Sequence, residues 1–404
     1  MKKILLIVGA VSILLLTSIT VSANETVVDA GGSGEYTTIH EAIANASTGD
    51  TITIKSGTYE IEDANKLIID KALTIQGESK DDTHIIQVGY DNLFEITADG
   101  VTIKMVKLEG AYSTLISLRA NDTTIEDVNF VSGGYSNAFD SSDNLKTGLS
   151  IKNVVATGKY SNFHDCSNSA WESSSFSQTS FNTITDSTVT SCIFSGGGID
   201  LNDDTQNLKF QDCTFKDHDN TCFQMKGTMN KLYLCTFQNI TGYGNAINLD
   251  GSDNEVKGCT FTLNKNGIST FNKNNTIAYN NFVDNIDAGV IASSFWMGED
   301  TINIDNNWWG DATGPYNANL NPDGLGDNAS GNVEFTTWLD AESTWTPDDT
   351  DEDDTGEDDG GEDDTGDDTG EDDTGEDDGG TPGFELLVLI AAIAVALIIL
   401  RKRE

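Results

Sequence analysis

One pattern constrains this chain more than any other: a short apolar-alternating segment ending in an aromatic residue, which returns every 21 to 26 residues along its second half. LKFQDCTF ends at Phe215, LYLCTF at Phe237, EVKGCTF at Phe261, TIAYNNF at Phe282 and INIDNNW at Trp308, with weaker copies TIEDVNF at Phe130 and TVTSCIF at Phe194. That period is one coil of a parallel β-solenoid, a unit that buries its apolar face only by stacking on its neighbours. Within each copy the apolar residues stand two apart, as Cys213 and Phe215 do, which is the strand period. A second strand per coil follows at GIDLN near Leu201, CFQMK near Met225, AINLD near Leu249, GISTF near Thr270 and GVIAS near Ala292. Asn, Gly, Asp and Ser fill the corners, where tight turns need positive φ or side-chain turn bonds. The expectation is an all-β rod of some 11 or 12 coils, roughly 55 Å long at about 4.8 Å per rung.

Open strand edges at the ends of such a rod invite aggregation, so both ends need covers. Ile39, Ala42, Ile43 and Ala46 in TTIHEAIANAS stand at helical spacing and predict an amphipathic capping helix. Trp308, Trp309, Trp338 and Trp345 are placed to close the far end.

The flanks set the address. Lys2 and Lys3 precede an apolar run to about Ile19, and Val21-Ser22-Ala23 supplies small residues for cleavage, so residues 1–23 read as a secretory signal. Residues 24–347 form the solenoid ectodomain. Residues 348–380, almost wholly Asp, Glu, Thr and Gly, cannot bury enough apolar surface to fold and read as an extended acidic stalk. Residues 381–404 combine Pro382-Gly383-Phe384, an apolar run over Leu386 to Leu400 and a basic tip, Arg401-Lys402-Arg403, which the positive-inside rule keeps in the cytoplasm. The formal net charge is -44, which disfavours nucleic acid and anionic lipid as partners.

Three resemblances follow from these residues. Pro-Gly-Phe, span and basic tip resemble the PGF-CTERM sorting signal of archaeal surface proteins. This implies an archaeosortase and membrane lipid as partners and a place in the cell envelope. VVDAGGSGEYTTIHEAIANASTGDTITIKSGTYEI, running into KALTIQGES, resembles the entry segment of right-handed parallel β-helix proteins of the pectin-lyase-like superfamily, pectin methylesterases included. NNWWGDATGP with VEFTTWL resembles the closing segment of surface β-helix proteins of the NosD group. The implied fold class is a right-handed parallel β-helix with an N-terminal capping helix, a disordered stalk and a C-terminal transmembrane segment.

Six cysteines in an exported chain suggest disulfides, but Cys192, Cys213, Cys235 and Cys259 each precede the repeat's Phe by two residues and should stack inside the rod. They read as a ladder of small hydrophobes, with disulfides between rungs left open because the rung spacing lies within the range for bridged Cα atoms. Cys166 and Cys222 fall outside that ladder.

The catalytic sets of the superfamily are missing. There is no Arg-Pro-Trp segment and no Gly-His-Gly step, and Arg119 is the only arginine between residues 24 and 347. What remains is a loose constellation. Asp200, Gln224 and Asn248 should form one outward column and Asn202, Lys226 and Asp250 the next, with Asp203, Asp204, Asp217, His218 and Asp219 in turns beside them. Asp200, Lys226, Asp250, His218 and Asp219 are the candidate acid–base residues; Asn202, Gln224, Asn248 and Phe271 are candidate ligand contacts. His164-Asp165 near Trp171 is a second candidate. Asp203 and Asp204 could hold Ca²⁺, an oxygen-seeking cation. Asn24, Asn45, Asn121, Asn239, Asn274 and Asn328 satisfy the N-glycosylation rule. Long stacked faces without a catalytic set point to envelope structure, adhesion or binding of an extracellular polysaccharide. The alternative is a lyase, esterase or hydrolase acting on an acidic polysaccharide. Exposed aromatics such as Phe271 and Trp296 along a groove would favour binding.

Overall fold

The computed structural model describes residues 23–347, apart from 64–65, 111, 132–135, 142–144 and 294–300. The expected signal segment, stalk, sorting signal and Trp296 lie outside the described residues, among which no helix is long and apolar enough to cross a membrane.

Each coil carries three strands, and the strands of successive coils pair in parallel, in register, to give three long sheets. One coil runs Lys231–Tyr233, Thr236–Gln238 and Ile247–Leu249, and the next repeats it at Glu255–Lys257, Thr260–Thr262 and Asn266–Thr270. The solenoid makes about 12 turns, as the period predicts. Inward residues stack by register. Phe210, Leu232, Val256 and Ile277 form one column of the first sheet, and Leu201, Met225, Leu249, Thr270 and Ala292 one of the third. In the second sheet the rings of Phe194, Phe215, Phe237, Phe261 and Phe282 lie nearly parallel, with centroids 5.1, 4.6, 4.9 and 5.0 Å apart.

The sequence repeat conceals a corner. LKFQDCTF is not one strand but two, Gln206–Gln211 and Thr214–Lys216, bent at Asp212, whose φ is 54°. The same left-handed residue recurs in every coil from Met105 through Asp127, Asn153, Ser173, Ser191, Leu234 and Tyr279 to Asn306, with Gly258 serving in its turn. The residue after it points inward; it is Val106, Val128 and Val154 in the early coils and a side chain that bonds backward in most later ones. Asn280 donates from Nδ2 to Val256 O (2.8 Å) and Asn307 to Ile277 O (2.9 Å). In earlier coils a thiol stands there: Cys213 Sγ donates to Val189 O (3.3 Å) and Cys259 Sγ to Leu232 O (3.3 Å). The cysteine ladder is thus buried and stacked as expected. Its members are also weak donors in an asparagine's position, which the reading as small hydrophobes left out.

Two further corners follow the same rule. Where the third sheet passes to the first, Leu208 N donates to Asn230 Oδ1, Asn230 N to Asn254 Oδ1 and Asn254 N to Asn275 Oδ1, at 2.8 to 3.0 Å. Serine does this nearer the N-terminus, with Leu149 N on Ser169 Oγ and Ser169 N on Ser187 Oγ. Where the second sheet passes to the third, Ile240 N donates to Asn264 and Asn264 N to Asn285, and the column ends on the carboxyl of Asp327, which takes both Asn285 N (3.1 Å) and Nδ2 (2.6 Å).

The expected short helix forms at Ile39–Asn45 because Thr38 caps it, accepting from Glu41 N. It buries Ile39, Ala42 and Ile43 against the strands Glu25–Val28, Thr51–Ile54 and Leu67–Ile69. At the other end one expectation shifts by a residue. Trp309, not Trp308, continues the phenylalanine column, 4.8 Å from Phe282, because the Asn280–Asn307 bond sets the register. Trp345 does not close the last coil either. The chain turns back at Leu339, whose N–H donates to Asn307 O, bonds Asn281 through Ser343 N, and lays Trp345 on the flank against Tyr233 and Tyr279.

Three predictions test this frame. Asn254→Ala removes an acceptor for Asn230 N and a donor to Gly227 O; it should cost about 2–3 kcal/mol by denaturant unfolding, while Asn274→Ala, at an exposed position, should cost almost nothing. All six thiols are free and buried, so a thiol reagent should find none in the native protein and six after denaturation, and a reductant should leave the melting temperature unchanged. Burial, reinforced by the Asp284 carboxylate, pushes Asp327 up to about 6 against the opposing Asn285 bonds. A carboxyl raised in the folded state favours folding at low pH and loses that contribution as pH climbs through 6. Wild type should therefore lose more stability between pH 4 and pH 7 than Asp327→Asn does.

Candidate functional site

The third sheet's outer face carries the candidate residues, because alternation along each strand sends every second side chain to solvent. Register puts Asp140, Asn162, Ser180, Asp200, Gln224 and Asn248 in one column. Two residues further on, His164 and Asn182 pair in the same way, and Asn202, Lys226 and Asp250 continue the line. Asp200, Gln224 and Asn248 stand in the register expected from the sequence.

The structure brings together Asp200, Gln224, Lys226, Asn248 and Asp250. Lys226 Nζ lies 3.7 Å from Asp200 Oδ1, both half-exposed. Gln224 donates from Nε2 to Asp250 Oδ2 and accepts on Oε1 from Asn248 Nδ2 (3.0 Å). Asn245 donates to Asn248 Oδ1 (2.7 Å) and receives Asn266 Nδ2 (3.0 Å). Amides of three coils thereby hold one another in fixed orientation. Burial raises the Asp250 carboxyl, and the Gln224 bond and the Lys226 charge pull it part of the way back. Asn202 turns to the corner, where Oδ1 accepts Thr183 N (2.8 Å) and the Thr205 hydroxyl (2.8 Å).

Other candidates do not join. His218 is buried, with Nε2 3.4 Å from Phe194 O, because it follows left-handed Asp217 and occupies the corner position that Asn264 and Asn285 hold in later coils. Desolvation lowers its pKa against the opposing Phe194 carbonyl bond, and its ring fills the corner away from the outer face. Asp219 is exposed in that turn, and Asp217 accepts Asn239 Nδ2 (2.7 Å). Phe271 is half-buried. His164 contacts Asn182 through Nε2 (3.3 Å), and Trp171 is in the core. Asp203 and Asp204 are exposed, and among the described residues no three His, Cys, Asp or Glu side chains converge as a metal site would require. The pair alone does not fit the six to eight oxygens of Ca²⁺. The burial of His218 could have been read beforehand by aligning it with the asparagines two and three coils on.

Sequence reasoning missed the ion pairs that join coils on this face. Lys66 Nζ meets Glu95 Oε2 at 2.9 Å and an Arg119 nitrogen lies 3.6 Å from Asp140 Oδ2, as Lys226 lies beside Asp200. It also missed the hollow at the sheet's border lined by Thr241, Gly242, Tyr243, Lys265 and Ile286, where Lys265 sits 5.5 Å from the Tyr243 ring. Partners a coil apart are invisible until the register is known.

No curated protein matches this chain. Among solved structures, it is similar to a PL6 family polysaccharide lyase from Pseudopedobacter saltans, at 10% identity and a TM-score of 0.47, covering 81% of this chain and 94% of that one. The A-module of a mannuronan C-5 epimerase from Azotobacter vinelandii matches at 11% identity and 0.40, covering 63% and 90%. The ORF18 protein of Geobacillus virus E2 matches at 13% and 0.36, covering 74% of this chain and 56% of that one, so the chain spans little more than half of its length. Identities this low say nothing of ligand or reaction. The stretch 147–309 is similar to the family described as "Right handed beta helix region", which agrees with the stacked coils seen here.

Proposed function

We propose that this protein is a cell-surface rod that binds an extended extracellular polysaccharide along the outer face of its third sheet, without chemical turnover. The observation that carries the reading is the amide row Asn266–Asn245–Asn248–Gln224, ended by Asp250, in which each side chain is oriented by the next. Within this row Gln224 and Asn248 stand one rung apart on the outer face, a spacing suited to hydroxyls repeated along a polymer. The reading includes export by the signal at 1–23 and an acidic stalk over 348–380. It also includes membrane anchoring through Pro382-Gly383-Phe384, with an archaeosortase and membrane lipid as partners in an archaeal envelope. The helix Ile39–Asn45 shields the first coil. The six acceptor asparagines suit glycan attachment: Asn24, Asn45, Asn239 and Asn274 are exposed and Asn121 and Asn328 half-buried.

A second reading has one observation in its favour. Asp250, raised by burial and facing the Lys226 charge, with Asp200 across Lys226, is the kind of group that moves protons.

One experiment separates them. The purified protein is run in gels containing neutral and acidic polysaccharides, and the same mixtures are analysed by mass spectrometry. Retardation of wild type, lost by tenfold or more in Gln224→Ala/Asn248→Ala, with polymers intact, is the expected result. Shortened, unsaturated or de-esterified products that disappear in Asp200→Ala or Lys226→Ala would replace the binding rod with an enzyme.

A further inference from the structure

The border between the second and third sheets carries a set of tyrosines that the amide row does not use. Tyr90 and Tyr112 lie in the turns leading to the strands Phe94–Ile96 and Ile116–Leu118, Tyr160 opens the strand Tyr160–Ser167, and Tyr243 lies in the turn before Ile247–Leu249. Their exposures are 73%, 58%, 53% and 95%. Tyr90 and Tyr112, in neighbouring coils, stack with centroids 5.0 Å apart at 30°. Lys265 Nζ stands 5.5 Å from the Tyr243 ring centroid, and at 95% exposure that residue lies almost wholly in solvent. Ring surface of this extent left in water on one edge of a rod, beside an ordered polar face, is unusual for tyrosine, which ordinarily buries its ring and wets only its hydroxyl.

The charges of the adjoining face set the second condition. Lys66, Arg119 and Lys226 each lie against a carboxylate one coil away, Glu95, Asp140 and Asp200. These three cations are neutralised within the face, on a chain whose formal net charge is -44. A polyanion would meet general repulsion and compete with internal partners for each cation.

We propose that this border is an aromatic rail for an uncharged polysaccharide lying along the rod axis, with sugar rings stacked by their C–H faces on the tyrosines and hydroxyls turned to the amide row. The inference rests on the reading that the third-sheet face binds polysaccharide, and adds the class of polymer, its direction and its contacts. From Tyr90 to Tyr243 the rail crosses seven rung steps, about 34 Å, so it suits a chain and not a mono- or disaccharide. The tyrosines are spaced by polar turns and do not form the continuous apolar core of a protein-docking patch.

The test runs the purified protein in affinity gels of a neutral glucan, mannan and xylan, each beside its carboxymethylated form. Expected are stronger retardation by at least one neutral polymer than by its carboxymethylated form, and a loss of roughly three- to tenfold in each of Tyr112→Ala and Tyr243→Ala. The two losses should multiply in the double variant, and unfolding midpoints should match wild type. Equal or tighter binding of the charged forms overturns the inference. So do tyrosine variants that bind like wild type while Gln224→Ala/Asn248→Ala does not, and either result leaves the third-sheet reading standing. Retardation by none of the polymers overturns both. Concentration-dependent self-association in sedimentation that Tyr112→Ala removes would assign the rail to a second copy of the chain instead.

Discussion

The hydrogen bond from an inward-pointing side chain at a corner to the backbone of the coil before it is the interaction on which the rest of this rod depends. Strand ladders satisfy the peptide groups of the flat faces, but at each corner the chain must turn sharply, and the buried groups there have no strand partner. The solution is a left-handed residue followed by a side chain that reaches back. Left-handed geometry costs a non-glycine residue about 1–2 kcal/mol. Met105, Leu234 and Tyr279 adopt it nonetheless, with no short polar side chain to ease it. Strand register on both sides holds all three, and at Tyr279 the next residue, Asn280, adds its bond to Val256 O. Asparagine serves best, having both a donor and an acceptor; serine, cysteine and one histidine serve elsewhere.

This rule explains which parts of the structure were legible in advance. The period, the coil number and the inward columns of the third sheet could be read directly, because alternating apolar residues and their spacing are local signals. The bend inside LKFQDCTF could not, because Asp212 and Cys213 interrupt the alternation by only one residue and look like strand. Trp308 and Trp309 are adjacent and equally suited to the column by sequence, and only the bond between Asn280 and Asn307 decides between them. Of the candidate site, the column of Asp200, Gln224 and Asn248 was legible from the period. His218 was misplaced because its turn looked like the polar turns around it, while its register made it a corner residue.

The site and the scaffold are made by one device used on two sides. Inside, asparagines repeated at the coil period bond backward and are buried. Outside, Gln224 and Asn248, and again Asn245 and Asn266, stand one coil apart and bond sideways, with Gln224, Asn245 and Asn248 half-open to water and Asn266 buried. The inner rows fix the rung spacing, and the outer row inherits it. A change in the core that shifted one coil would therefore disturb this outer face without touching any residue on it.

The returning C-terminal segment has a mechanical meaning. After leaving the last coil it runs back along the flank, and Trp345 seats over Gly258, where even a methyl group would collide with its ring. Tension applied to the chain beyond Pro347 reaches the rod at that seat, part-way along its side. The pull is then resisted as shear, by several bonds failing together, and does not lift the terminal coil and unwind the solenoid one turn at a time.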